Sequence, residues 1–256
     1  MLPRQTALWA EELFLTPTRV PRPSSEEGFY QTSEKTTLPG GIAAYSWGSM
    51  NRPVVLLVHG WSGRGTQMGA FAQPLVEKGF RVVAVDGPAH GSSDGLRTNV
   101  GDYARFMIEV QRALGPLKAV VAHSFGAGCS VLAVQRGMKA EKLVLVAGPS
   151  HYELVVKNYL RSIGISSLAQ KHFLRSLELK VGMPASAMNV GRLGKDLSVP
   201  ALIVHDEGDK EVRFKAALEI HEAWPGTELL VTQGLGHRRI LKDDRVTQKV
   251  ADFISR

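Results

Sequence analysis

The sequence predicts an α/β fold with a mostly parallel central sheet and helices on both of its faces. The first observation is a series of short, continuous apolar runs without polar alternation, which is typical of strands buried on both faces. The second is helical spacing of apolar residues between these runs, as in strand-helix-strand units with right-handed crossovers. The runs are VVLLV (54–58), RVVAV (81–85), KAVVA (118–122), KLVLVA (142–147), ALIV (201–204) and ELLVT (228–232).

Residues 1–28 predict an N-terminal arm that precedes the sheet. TALWAEELFL has helix-like spacing, whereas TPTRVPRPSS contains three prolines and predicts an extended segment on the surface. In the next stretch, Pro39, Gly40 and Gly41 separate two strand-like runs, which indicates a hairpin. We therefore expect two antiparallel strands at the edge where the sheet begins.

The clearest helical pattern lies between the runs at 81–85 and 118–122. Val100, Tyr103 and Met107 recur at helical spacing, and Gly115-Pro116 ends the pattern. We expect a helix here that packs one apolar face on the sheet.

Residues 150–195 interrupt the strand-helix rhythm. HYELVVKNYLRSIG and SSLAQKHFLRSLELKVG have helical patterns, and no strand run lies between them. The sequence therefore predicts a short helical cap inserted after the strand at 142–147. The remaining residues, 29–149 and 196–256, form the predicted α/β core.

Composition limits the classes of protein and partner. The 256 residues are 44% hydrophobic and 21% charged, as in a globular domain. The 31 Lys and Arg residues, which give a net charge of +7, are scattered, so no nucleic-acid partner is expected. No run approaches the roughly 18 apolar residues that a membrane-spanning helix needs, so we expect no stable membrane insertion.

Two further features bear on location and on metals. Glu11 and Glu12 lie where a secretory signal would have an apolar core, and we therefore expect a cytoplasmic location. The single cysteine, Cys129, excludes an intramolecular disulfide framework and a cysteine-clustered zinc site.

Ser124 lies in VVAHSFGAG, between an apolar run and a helical pattern. It is either a helix N-cap, which accepts a hydrogen bond from the first turn, or a nucleophile. Other polar residues follow the neighbouring runs, and the carboxyl ends of parallel strands share one edge of the sheet. A serine, several acids and a histidine are thus expected at one edge, at 59–61, 86–93, 124, 206–209 and 234–237.

The order serine, acid, histidine and the sequence AHSFG resemble the α/β-hydrolase family, over residues of about 40–256. AHSFG is similar to the G-x-S-x-G nucleophile elbow, although Ala122 replaces the first glycine; Gly126 keeps the second. The resemblance implies an α/β-hydrolase fold and a nucleophilic Ser124. It also leads us to expect no metal and no cofactor.

The resemblance also assigns the base and the acid. His237, in GLGHRRIL after the last run, matches the position of the family's catalytic histidine. VHDEGDKEV offers Asp206, Glu207 and Asp209, and the family pattern implies that Asp209 orients the histidine. Asp206 is the alternative acid, although capping of the loop explains it more simply.

The oxyanion hole is implied by the same resemblance. Its donors would be the backbone N–H groups of Phe125 and Trp61, and such a donor is typically worth roughly 3 kcal/mol. The Trp61 ring is also a candidate wall for the substrate site. DGPAHGSSDG (86–95) resembles a structural turn of the family, with a metal-binding pair of Asp86 and His90 as the alternative interpretation.

Together these features predict a serine hydrolase that cleaves carboxylic esters of small to medium acyl groups through an acyl-enzyme. Thioester cleavage, carbon-carbon cleavage and a non-catalytic ligand-binding role are the alternatives on the same fold. Arg64 and Arg238, which lie near the predicted site in sequence, suggest a preference for anionic acyl groups. Six apolar cap positions are candidates for covering the site or for packing on the sheet: Leu154, Val155, Tyr159, Leu160, Leu168 and Phe173.

Overall fold

The computed structural model describes residues 2–256, which form one eight-stranded sheet with helices on both faces. Each predicted apolar run is a strand, and two further strands precede them. The strands are β1 (Glu34–Leu38), β2 (Ile42–Trp47), β3 (Val54–Val58), β4 (Arg81–Val85), β5 (Leu117–His123), β6 (Leu143–Val146), β7 (Ala201–Asp206) and β8 (Glu228–Thr232).

The strand order is β1-β2-β4-β3-β5-β6-β7-β8. The β1–β2 and β2–β4 pairs are antiparallel, and every other pair of neighbours is parallel. The turn at Pro39–Gly41 joins β1 to β2, and the predicted hairpin at the start of the sheet is therefore confirmed. The reversal of strand order around β3 and β5 leaves a crevice at the carboxyl edge of the sheet, where ligands of such folds bind.

The helices occupy both faces because successive strand residues point to opposite sides. Leu56 packs into one apolar layer with the helices at 100–114 and 125–135 and those after β6, whereas Leu57 packs into the other with the helices at 72–77 and 244–255. The helices are α1 (Pro3–Leu15), α2 (Ser24–Thr32), α3 (Ala72–Glu77), α4 (Val100–Leu114), α5 (Phe125–Gln135), α6 (Tyr152–Ile163), α7 (Ser167–Val181), α8 (Val190–Gly194), α9 (Lys215–Ala223), α10 (Gly236–Arg239) and α11 (Asp244–Ser255).

Helix α4 begins and ends at the residues that the sequence indicates. The Asn99 side chain caps it by accepting hydrogen bonds from the backbone N–H groups of Gly101 (2.8 Å) and Asp102 (3.0 Å). At the other end Gly115 has φ +85°, a conformation that residues with a Cβ rarely adopt. The helical segment predicted after the strand at 142–147 is also present, as α6, α7 and α8 between β6 and β7.

The N-terminal region contains more helix than the sequence indicates. Helix α2 covers Ser24–Thr32 and so runs across residue 28, the predicted end of the arm. Its first turn carries Glu26, which is buried and accepts a hydrogen bond from Thr66 Oγ1 (2.7 Å). The other contacts of this helix come from polar and aromatic side chains, such as the Tyr30 ring against the Tyr45 ring at 5.8 Å, and a search for apolar periodicity therefore misses it. Among the helices of residues 2–256, none has the length and apolar character needed to cross a membrane.

Candidate active site

Ser124 lies on a sharp turn between β5 and α5. Its φ of +50° and ψ of −117° are rare for a residue with a side chain, and such strain costs on the order of 1–3 kcal/mol. Its backbone N–H donates to the Val146 carbonyl (2.8 Å), which fixes the turn to β6. Ser124 occupies the N-cap position of α5, but within residues 2–256 its side chain accepts no capping hydrogen bond, so capping does not explain this serine.

Small residues allow the turn to pack tightly. A Cβ added to Gly126 would lie 2.5 Å from the His59 carbonyl oxygen and 2.9 Å from Val58 Cγ1, so only glycine fits there. Ala122, which replaces the first glycine of the motif, is completely buried in β5. The additional methyl group is therefore accommodated in the sheet.

The Ser124 hydroxyl contacts His237, and His237 contacts Asp209. Ser124 Oγ lies 3.0 Å from His237 Nε2, and His237 Nδ1 lies 2.7 Å from Asp209 Oδ2. Because the Nδ1 proton is donated to the carboxylate, Nε2 is the acceptor for the serine hydroxyl. The structure thus brings together the three residues that the resemblance selects, from the ends of β5, β7 and β8.

Asp209 is held as a buried carboxylate. Burial alone would raise its pKa, but hydrogen bonds from His205, His237 and the Val212 N–H lower the pKa below its ordinary value. Its second oxygen accepts from the backbone N–H groups of Glu211 (2.8 Å) and Val212 (2.9 Å). The side chain is therefore ionised and fixed in orientation at neutral pH.

Asp206 supports the loop that carries His237. Its oxygens accept from Thr232 Oγ1 (2.8 Å) and from the backbone N–H groups of Leu235 (2.9 Å) and Gly208 (2.9 Å). These bonds are directed at the loop backbone, as expected for a loop cap. Of the two candidate acids, Asp209 is the one in contact with the imidazole.

Two further histidines are buried and neutral beside the site. Burial lowers the pKa of His123 to about 3, and its Nε2 lies 3.0 Å from the His237 carbonyl oxygen. Burial likewise lowers the pKa of His59 to about 4. His59 Nε2 accepts from the Gly87 N–H (2.8 Å) and Nδ1 donates to the Gly60 carbonyl (2.6 Å), so this ring joins the loops after β3 and β4.

The loop after β4 is built around Asp86. Its carboxylate accepts from the backbone N–H groups of Gly65 (2.6 Å) and Ser92 (2.7 Å) and from the Tyr45 hydroxyl (3.0 Å). His90 instead places Nδ1 2.9 Å from the Pro88 carbonyl oxygen. These contacts agree with the structural interpretation of the turn and not with a metal-binding pair of Asp86 and His90.

Two backbone N–H groups are available beside Ser124. Phe125 is the first residue of α5, so its N–H has no acceptor within the helix. The Trp61 N–H donates no backbone hydrogen bond within the described part of the chain, residues 2–256. The Trp61 ring packs edge-on against the Phe125 ring at 5.1 Å, which joins the loop after β3 to the start of α5.

An apolar cavity of about 430 Å³ opens onto Ser124 and His237. Trp61 and Phe125 line it on the core side, and cap residues cover it from above. Of the cap positions considered from sequence, Val155 and Tyr159 line the cavity, whereas Leu160 and Phe173 are buried and Leu154 and Leu168 are exposed.

Sequence reasoning missed several residues that line this cavity. Residues of α1 form part of it, together with positions at the start and end of the cap segment. They are distant from Ser124 along the chain, and a search for local motifs has no signal for them. They are Leu13, Phe14, Leu15, Tyr152, Val156 and Met188.

The two arginines considered as anion-binding groups are engaged elsewhere. Arg64 is buried, donates to the Pro21 carbonyl (2.9 Å) and lies 3.9 Å from Glu26. Arg238 pairs with Glu211 at 3.1 Å on the surface. The cavity lining that the structure describes over residues 2–256 includes Glu211 but neither arginine. The anion-binding role expected for these arginines therefore has no support in the cavity lining.

A family model described as "Alpha/beta hydrolase family" matches residues 55–249. The human "Serine hydrolase-like protein" is 36% identical over 98 residues, which are 36% of this chain and 48% of that protein. Its mouse counterpart is 34% identical over 101 residues, which are 37% of this chain and 32% of that protein. The matched part of the chain thus spans about half the length of these relatives or less.

Solved structures of the same architecture cover nearly the whole chain. The thioesterase domain from the curacin biosynthetic pathway has a TM-score of 0.65 at 21% identity and covers 87% of this chain and 98% of its own. A bacterial membrane phospholipase A has a TM-score of 0.69 at 17% identity, covering 90% and 88%. A structure from a study of carboxylesterases of Nitrososphaera gargenis has a TM-score of 0.65 at 16% identity, covering 87% and 98%. At these identities the likeness concerns the fold alone.

Proposed function

Because this chain belongs to the alpha/beta hydrolase family, we propose that it is a serine hydrolase that cleaves carboxylic esters of small to medium acyl groups. The observation that carries the proposal is the hydrogen-bonded series Ser124, His237 and Asp209 at the floor of an apolar cavity. Each of these contacts has the geometry that nucleophilic catalysis by serine requires. The names of the curated relatives, which describe them as serine hydrolase-like, agree with it.

In the proposed first step Ser124 Oγ attacks the acyl carbon. His237 Nε2, 3.0 Å away, accepts the hydroxyl proton as the new C–O bond forms. The imidazolium that results is stabilised by the Asp209 carboxylate at 2.7 Å, which stays ionised. His237 then donates the same proton to the departing alcohol oxygen, and the acyl group remains on the serine.

The negative charge that develops on the carbonyl oxygen needs preorganised donors. We assign this role to the backbone N–H groups of Phe125, which follows the serine, and of Trp61, which follows Gly60 beside the serine. The dipole of α5, which begins at Phe125, adds a partial positive charge at the same place. A donor of this kind contributes roughly 3 kcal/mol to stabilising the transition state.

Water completes the proposed reaction. It attacks the acyl carbon while His237 accepts its proton. His237 then returns that proton to Ser124 Oγ as the bond between this oxygen and the acyl carbon breaks, and a carboxylic acid is released. No metal or cofactor takes part in the proposal, and the substrate is a small molecule rather than a nucleic acid. The apolar lining supports an uncharged acyl group, because burying a charge there without a partner would be costly.

The test is hydrolysis of p-nitrophenyl acetate, butanoate and octanoate by the wild type, Ser124→Ala and Ser130→Ala. Ser130 is a buried serine one and a half turns further along α5, and its hydroxyl donates to the Ala127 carbonyl (2.7 Å). We expect wild-type turnover, retained activity in Ser130→Ala and a loss of at least about a thousandfold in Ser124→Ala.

Equal rates in the two variants would overturn the role of Ser124. Turnover of the matching thioesters but not of the oxygen esters would move the proposal to a thioesterase on the same residues. An absence of turnover on both substrate classes would favour a ligand-binding member of the family.

A cytoplasmic location is part of the proposal. It is supported by the single cysteine, Cys129, which is buried and cannot form a disulfide within the chain. Fractionation of cells that produce the protein at native level tests it, and recovery with secreted protein would contradict it.

A further inference from the structure

Helix α1 lies outside the segment 55–249 that the family model matches, yet it forms part of the cavity beside Ser124. Leu13, Phe14 and Leu15, its last residues, face the cavity together with Tyr159 from α6. The N-terminal segment, predicted from sequence as an arm, thus supplies a wall of the site.

The position of α1 is fixed by close packing on the cap. Ala7 and Ala10 are buried, and their small side chains allow α1 to approach α7 closely. The Phe14 ring lies 4.8 Å from the Tyr159 ring and 5.5 Å from the Phe173 ring. In addition, the Tyr159 hydroxyl donates to the Ala10 carbonyl (2.6 Å). These contacts place Phe14 between the cap and the cavity.

Glu11 anchors the same interface. Its side chain is 3% exposed, and it accepts hydrogen bonds from Ser176 Oγ (2.9 Å) and Lys180 Nζ (2.5 Å), both on α7. A buried carboxylate is tolerated only with such partners, so this contact selects one arrangement of the two helices. At the end of α1 the Leu15 carbonyl accepts from the Thr98 N–H (2.9 Å), which ties the helix to the core.

Leu13 differs from its neighbours because it lines the cavity while remaining 49% exposed. An apolar side chain of this size at a cavity gains from being covered by an apolar ligand, since water is released from both surfaces. The cavity lining around Leu13 is apolar, and the same cavity includes both Leu13 and Ser124. An acyl chain of medium length that is attached at Ser124 would cover this side chain.

We propose that α1 is a wall of the acyl-binding site and that Leu13 and Phe14 determine the preferred length of the acyl chain. The inference rests on the proposed function and deepens it, because it names the substrate class as esters of medium-length, uncharged acyl groups.

The experiment compares Leu13→Ala with Leu8→Ala. Leu8 is a leucine of the same helix that is 56% exposed and is absent from the cavity lining described over residues 2–256. The readout is the ratio of kcat/KM for p-nitrophenyl decanoate to kcat/KM for p-nitrophenyl acetate. We expect Leu13→Ala to lower this ratio by about fivefold, because the contacts that are lost reach only the longer chain. Leu8→Ala should leave it unchanged.

A second pair of measurements needs no turnover. Calorimetry measures the binding of methyl decanoate, an uncharged ester, to the Ser124→Ala protein and to the Ser124→Ala, Leu13→Ala protein, and we expect about fivefold weaker binding to the latter. Melting curves of all variants identify any that fail to fold.

Glu11→Gln tests the anchor. This substitution keeps the shape of the side chain and removes the negative charge that pairs with Lys180. Helix α1 should therefore be held less firmly against α7. We expect KM for the decanoate ester to rise more than KM for the acetate ester.

The outcomes separate the two proposals. If the wild type hydrolyses neither ester, the proposed function fails, and calorimetry still decides whether α1 binds an acyl chain. If the wild type is active but Leu13→Ala and Leu8→Ala give the same ratio, the proposed function stands and the role of α1 is refuted. Equal binding of methyl decanoate with and without Leu13, or no binding at all, would also refute it.

Discussion

The buried histidines around the site predict a steep loss of stability between pH 7 and 5. Burial lowers the pKa values of His59, His90 and His123 from the ordinary 6.5 to about 4, about 3 and about 3. In this window the folded protein keeps these rings neutral, whereas the unfolded chain protonates them. The unfolded state therefore binds more protons, and the free energy of unfolding falls as the pH falls.

The magnitude follows from these values. Between pH 7 and 5 each histidine lowers the free energy of unfolding by about 2 kcal/mol, and the three together lower it by about 5–6 kcal/mol. Asp206 and Asp209, whose pKa values lie below the ordinary 3.8, titrate outside this window. A typical domain is stable by about 5–15 kcal/mol, so such a loss brings a protein of this size close to unfolding.

The assay is urea unfolding at pH 7 and pH 5, followed by tryptophan fluorescence. His90→Gln removes one of the three titrating rings and should reduce the pH dependence by about 2 kcal/mol. His172→Gln, a change at an exposed histidine on α7, is the matched control and should leave the pH dependence unaltered. The reasoning would be refuted if the free energy of unfolding of the wild type differed by less than about 1 kcal/mol between pH 7 and pH 5, or if both variants had the same pH dependence.

Two further predictions concern the turn and the loop of the site. Gly126→Ala should lower the free energy of unfolding by about 2 kcal/mol, because the added Cβ would lie 2.5 Å from the His59 carbonyl oxygen. Gly28→Ala in α2 is the control. A Cβ there meets nothing within 4 Å, so this variant should raise the free energy of unfolding slightly. Urea unfolding measures both, and equal effects would contradict the close approach. Asp206→Asn should lower kcat for p-nitrophenyl acetate by about tenfold. The side-chain NH2 group of the asparagine would face backbone N–H groups that donate to the carboxylate, and two donors cannot form a hydrogen bond. Glu207→Gln, on the exposed side of the same loop, should not change kcat, and equal kcat values in these two variants would contradict the supporting role of Asp206.

Much of the fold could be predicted because its central strands are buried on both faces, although β1 and β8 at the two edges are not. Val54–Val58 is apolar at every position, and such a run has few alternatives in a chain with helical patterns on either side. The position of Ser124 could be predicted for a related reason. A sharp turn between strand and helix needs small residues at fixed distances, and Gly126 meets that need locally.

The walls of the site could not be predicted, because they depend on contacts between distant parts of the chain. Phe14 meets Tyr159 across more than half of the sequence, and no local pattern encodes this contact. Arg64 shows the reverse problem, because it lies three residues after Trp61 but its side chain is directed to Pro21 and Glu26. Proximity in sequence does not determine the direction in which a loop side chain points.

The central claim is that Ser124 is the nucleophile, and covalent labelling tests it most directly. The protein is treated with an alkyl fluorophosphonate, digested, and analysed by mass spectrometry, alongside Ser124→Ala and His237→Ala. We predict a single phosphonylated peptide that contains Ser124, no adduct in Ser124→Ala, and labelling at least about a hundredfold slower in His237→Ala. An adduct on another residue, or labelling in His237→Ala at the wild-type rate, would contradict the account.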